Sequence, residues 1–160
     1  MMQRGSCLLC ALLALAGCEA AQTPAASPAV VASESVQQAT VPPEEKRMWM
    51  TIGERRFAIT LANNHAAGAF SAMLPLTLDM PDLNGNEKHV ELPKALPANA
   101  SQPGTIHAGD LMLYGSRTLV LFYLTFNSSY SYTRLGRVDD AAGLAQALGR
   151  HASRIVFSTN

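Results

Sequence analysis

Tyr130, Tyr132 and Arg134 recur at every second position. An extended segment turns such residues to one face, so two phenols and a guanidinium would share a surface that stacks and hydrogen-bonds. Tyr123 and Phe126 in the preceding strand extend that surface, and Arg137 and Asn84 are placed beside it. A strand whose outward aromatics pair across the sheet for stability explains the same spacing, and both readings stay open here.

The other reactive residue types point nowhere as sharply. Asp82-Leu83-Asn84-Gly85-Asn86 has the spacing of part of a calcium loop, but Met80 stands where the first carboxylate belongs and strand-like segments flank it. A turn accounts for Asn84-Gly85 more simply, and its amides could border a cleft. His65, His89, His107 and His151 are scattered without ligand spacing, and Ser116 lacks the glycines of a nucleophile elbow. Asp139-Asp140 reads as a helix cap rather than an acid/base pair. No metal and no cofactor is expected.

These residues need strands to hold them. Met48 to Ile52 and Arg55 to Leu61 read as a hairpin turning at Gly53-Glu54, a glycine-first turn. Asn63 or Asn64 can cap a helix with Ala66, Ala69, Phe70 and Met73 at helical spacing, stopped by Pro75. Leu76 to Met80 and His89 to Leu92 are short strands around a polar loop, and a long loop follows from Pro93 to Pro103. Asp110 to Tyr114 pairs with Arg117 to Phe126 through Gly115-Ser116. Leu119 to Leu124 is apolar on both faces and so is placed centrally. Tyr130 to Val138 alternates, with a bulge at Gly136. Asp139-Asp140 opens a second helix carrying Leu144 and Leu148 and ending at Gly149, before a last strand from Ile155 to Ser158. Short strands with few helices predict a mainly β fold, a small closed antiparallel barrel with two helices at its ends.

The formal net charge is zero, with 12 basic and 12 acidic side chains and no basic stripe, so nucleic acid is excluded as a partner. Leu15-Ala16-Gly17-Cys18 closes a short apolar run from Cys7 to Ala16 that follows Arg4. A spanning helix needs about 20 apolar residues, so the run reads as a cleaved signal. The tetrad resembles the lipobox of bacterial lipoproteins, which implies lipidation of Cys18 and a membrane partner. Residues 1–17 are then the signal peptide. The Ala/Pro/Ser-rich stretch 18–45 is a tether too apolar-poor to order itself, and 46–160 is one domain. Cys7 and Cys10 leave with the signal, so the domain holds no thiol chemistry. The expected location is the bacterial cell envelope. By the same resemblance, Glu19 after the cysteine directs the protein to the outer membrane if the host has two.

Several blocks resemble the bacterial cyclophilin-like domain family. They are Ala69-Phe70, Leu74 to Met80, Asp82 to Lys88, Pro103 to Ile106, Gly109 to Gly115 and Ser129 to Arg137. The resemblance covers nearly all of the chain from Met48 onward and implies a small antiparallel barrel with helices at its ends. Catalytic cyclophilins carry Phe-His-Arg, Gln-Gly-Gly-Asp and Trp-Leu-Asp-Gly-Lys-His-Val segments, and none is present; the only tryptophan, Trp49, is in the first strand. The leading expectation is therefore a membrane-anchored binding module for a small molecule or peptide. A divergent prolyl isomerase is the alternative, with Arg134 or Arg137 supplying the guanidinium. A structural envelope lipoprotein is a third. Whether the chain is an enzyme stays open, leaning against.

Overall fold

The computed structural model describes residues 46–160. The expected signal segment, Cys18 and the tether lie outside the described residues.

β1 (Arg47–Ile52) and β2 (Arg55–Leu61) form the expected hairpin, with Gly53 at φ +57° in its turn. Strand alternation sends Met48, Met50, Ile52, Phe57, Ile59 and Leu61 into the core. Asn64 caps α1 (His65–Ser71), its side chain accepting the Ala67 amide at 2.8 Å. Phe70 from this helix meets Phe157 edge-on at 5.8 Å. β3 (Leu76–Met80) and β4 (Asp82–Leu83) follow, then β5 (Glu87–Glu91), β6 (Gly104–Ile106), β7 (Asp110–Tyr114), β8 (Thr118–Phe122), β9 (Phe126–Ser128) and β10 (Thr133–Val138). α2 (Leu144–Leu148) and β11 (Ser153–Ser158) end the chain.

The large sheet runs β3-β11-β1-β2-β10-β7-β8-β5-β4, antiparallel throughout. Its two outermost strands, β3 and β4, are consecutive in the chain and separated only by Pro81. The sheet must therefore curl back on itself, and the result is the predicted mainly β, nearly closed barrel. Both helices join the barrel core, through Ala66, Ala67 and Phe70 and through Leu144 and Leu148.

β8 is apolar on both faces for a reason that the sequence did not disclose. Leu119 and Leu121 face the barrel interior. Val120 and Phe122 face outward, into a second small core with Ile106, Met112 and Tyr132. β6 and β9 pair as a separate two-stranded sheet, and their Ile106 and Phe126 pack on that outer core.

Three local expectations are corrected. The strand expected from Arg117 to Phe126 is instead β8, which ends at Phe122, and β9, which starts at Phe126 in the other sheet. Asp139 and Asp140 do not cap the second helix. Asp139 accepts the Thr60 hydroxyl across to β2 at 2.5 Å, and Asp140 accepts the Ala142 amide in a turn. α2 starts later, at a Gly143 N-cap with φ +73° and no side-chain bond. The final alternating segment is also shorter than expected, because Tyr130 and Ser131 precede β10 and Tyr132 only bridges to Ser101.

The bulge at Gly136 is present, as a register shift between Arg134 and Gly136 against β7. A Cβ on Gly136 would stand 2.6 Å from the Thr60 carbonyl oxygen, a backbone atom that cannot swing aside. Gly136→Ala should therefore cost about 1–3 kcal/mol in urea unfolding. An unchanged midpoint would refute this account of the bulge.

Candidate functional site

The outer face of β5, β8 and β7 carries a cluster of aromatic and polar side chains. The register sets Glu87 opposite Phe122, His89 opposite Val120, and Met112 opposite Val120 on the other side. Opposed residues share a face, so Glu87 and His89 join Tyr114, Thr118 and Val120 on the outside of the wall. Phe126, Asn127, Ser128 and Ser129 form one bank of a cavity there, and Leu83, Asn84 and Asn86 the other. The cavity measures about 400 Å³, and Tyr130 and Tyr132 complete its lining.

Its aromatic rings are set at angles to one another. Tyr114 and Tyr130 meet edge to face at 6.3 Å, and Tyr114 and Tyr132 are tilted by 54° at 5.7 Å. Tyr132 also stands edge-on against Phe122 at 5.4 Å. Glu87 is only 9% exposed, and no group among the described residues donates to its carboxylate. Burial, and then the Asp82 charge, push its carboxyl above the ordinary value. Burial, followed by the Glu87 charge, likewise raises the Tyr132 phenol. The Asn86 Oδ1 atom on the same bank is buried and accepts no hydrogen bond.

On the other side of β5 lies a second cluster. Lys88 is wholly buried. Its ammonium donates to Asp82 Oδ2 at 2.8 Å and to the His151 carbonyl at 2.6 Å, and lies 5.4 Å from the centre of the Tyr123 ring. Tyr123 donates its hydroxyl to the same Asp82 Oδ2 at 2.5 Å. Asp82 Oδ1 accepts the Gly85 amide at 3.0 Å, inside a turn where Asn84 and Gly85 both have positive φ, +57° and +69°. The Lys88 hydrogen bond, then that of Tyr123, hold the Asp82 carboxyl below its ordinary value. Burial, then Asp82, push the Tyr123 phenol up to about 12.

The structure sorts the sequence-derived candidates into three places. Asn84, Tyr130 and Tyr132 line the outer cavity. Tyr123 belongs to the Lys88 cluster inside the barrel. Arg134 and Arg137 converge instead on the fully buried Asp110, at 2.8 Å and 3.6 Å from its Oδ1. Arg134 pairs in register with Met112, so it does share the outer face with Tyr132, but its guanidinium is committed away from the cavity. Sequence reasoning missed Glu87, His89, Tyr114 and Asn86. Glu87 and His89 alternate with Lys88 and Val90, which was the one available signal.

The family model described as cyclophilin-like matches residues 50–158, so the chain belongs to the cyclophilin-like family. No curated protein matches. Among solved structures, a hypothetical protein from Archaeoglobus fulgidus is similar, with a TM-score of 0.48 at 13% identity over 72% of this chain and 95% of that one.

The lowered carboxyl of Asp82 contributes stability that is present above its unfolded pKa and lost as pH falls through the folded one. The urea midpoint should therefore drop as pH is lowered from about 5 toward 2. Tyr123→Phe removes one of the three hydrogen bonds that lower Asp82, and should move that drop to higher pH. At neutral pH Asp82→Asn leaves the Lys88 ammonium buried without its counter-charge and should cost about 3 kcal/mol or more. Equal midpoints for wild type and Asp82→Asn would show that the pair contributes nothing.

Proposed function

We propose that this member of the cyclophilin-like family is a binding module, anchored to a bacterial membrane through lipidated Cys18, whose outer cavity takes a small molecule or a short peptide. One observation carries the reading. The cavity, about 400 Å³, is of ligand-site size, has aromatic walls and is lined by Asn86, whose buried Oδ1 has no donor among the described residues. Ligand sites combine such apolar walls with a few convergent polar atoms.

Tyr130, Tyr132 and Asn84 act as recognition residues in this reading. Tyr130 is 63% exposed, so its ring is open to a ligand that enters the cavity. Arg134 and Arg137 take no part in recognition, because they pair with the buried Asp110 away from the cavity, and Tyr123 belongs to the Lys88 cluster on the inner side of β5. The anchor keeps the domain in the envelope, at the outer membrane if the host has two.

The test is ligand-observed NMR on the full chain in non-ionic detergent, with a panel of uncharged and charged fragments and Xaa-Pro peptides. Binding that Tyr130→Ala weakens and Arg134→Ala spares is the expected outcome. No binding to any member of the panel overturns the reading. Exchange peaks showing catalysed cis/trans interconversion would replace it with the isomerase alternative, since the uncatalysed step takes tens of seconds or longer. For the anchor, cells expressing the full chain should incorporate labelled palmitate, and Cys18→Ala should abolish the label. A label that persists in Cys18→Ala contradicts the anchor.

A further inference from the structure

We infer that the ligand of the outer cavity carries an organic ammonium group, gripped by Tyr114, Tyr130 and Tyr132 and neutralised by Glu87. The inference rests on the binding-module reading above and names its ligand class.

Three independent features converge. First, the phenol rings of Tyr114, Tyr130 and Tyr132 are tilted or perpendicular to one another, at 54° and 84°, rather than stacked flat. Rings set at angles around one rim can each turn a different surface to a central group, and ring faces attract cations. Second, Glu87 is nine-tenths buried on this wall, and among the described residues it has no hydrogen-bond or ion-pair partner. A carboxylate in that position is destabilised until a cation reaches it. Third, Asn86 Oδ1 on the same bank is a buried acceptor without a donor, and an ammonium with an N–H, or a hydroxyl beside it, supplies one.

Among the described residues no lysine or arginine pairs with Glu87. Lys88 is adjacent in sequence, but strand alternation turns it to the other side of β5, where Asp82 takes it. His89 shares the cavity face two residues along. The residues contributed by β8 and β9, namely Thr118, Val120, Phe126, Asn127 and Ser128, are uncharged.

A hard metal ion fits less well. Calcium and magnesium take six or more oxygen ligands. Among the described residues no group of three His, Cys, Asp or Glu side chains converges. One carboxylate with aromatic walls suits a weakly hydrated, bulky cation instead.

The test uses calorimetry on the full chain in a non-ionic, choline-free detergent. The probes are choline and its uncharged carbon isostere, 3,3-dimethylbutan-1-ol. Choline should bind at least about tenfold more tightly than the isostere. Glu87→Gln keeps the shape of the side chain and should weaken choline about tenfold while leaving the isostere unchanged. Choline affinity should also rise with pH as Glu87 passes through its raised pKa. N-acetyl-trimethyllysine amide as a third probe separates sources: tighter binding than choline assigns a peptide side chain, weaker binding a free amine. Equal affinity for choline and isostere overturns the inference, and so does a Glu87→Gln variant that binds choline like wild type. Fragments that bind while choline does not would overturn the ammonium assignment alone and leave the binding module standing.

Discussion

An ammonium group with no exposed surface must be matched where it lies, and Lys88 imposes that demand on the seam of the barrel. Three groups answer it: the Asp82 carboxylate, the His151 carbonyl and the Tyr123 ring. They come from β4 and from the residue after β8, on one side of the nine-stranded sheet, and from the approach to β11, near its other end. Desolvating an ion pair is expensive, so such a cluster is weak evidence for net stability. Its effect is on register. Only one alignment of β4 with β5 brings Asp82 opposite Lys88, and the positive-φ turn at Asn84 and Gly85 matches that alignment.

That alignment also makes the outer cavity. A strand alternates its side chains, so a Lys88 directed inward forces Glu87 and His89 outward. A slip of one residue would exchange them. The buried pair on one side of β5 and the unpartnered carboxylate on the other are thus consequences of a single register. The same two-sidedness explains β8. Its inner leucines belong to the barrel, and its outer Val120 and Phe122 need the cover provided by β6 and β9. The cover that protects those residues also supplies one bank of the cavity.

Local physics was legible in the sequence and long-range chemistry was not. The Asn64 cap, the Gly53 turn, the β7–β8 hairpin and the Gly136 bulge each depend on residues a few positions apart, and each is present. The Tyr123–Asp82 bond joins residues 41 apart, and Arg134–Asp110 joins residues 24 apart, distances over which no periodicity operates. Spacing assigned Tyr132 and Arg134 to one face correctly. It could not show that a buried aspartate would claim the guanidinium. Asp139 and Asp140 misled for a related reason, because a distant Thr60 hydroxyl competes for one of the two carboxylates.

Carbon-13 NMR titration of the Glu87 side-chain carboxyl, in the full chain without added ligand, tests this account most directly. A midpoint above the ordinary carboxylate range is expected, because the register buries this group without a partner among the described residues. A midpoint at or below that range would mean that Glu87 is solvated or already paired, and would contradict the link drawn here between the seam and the cavity.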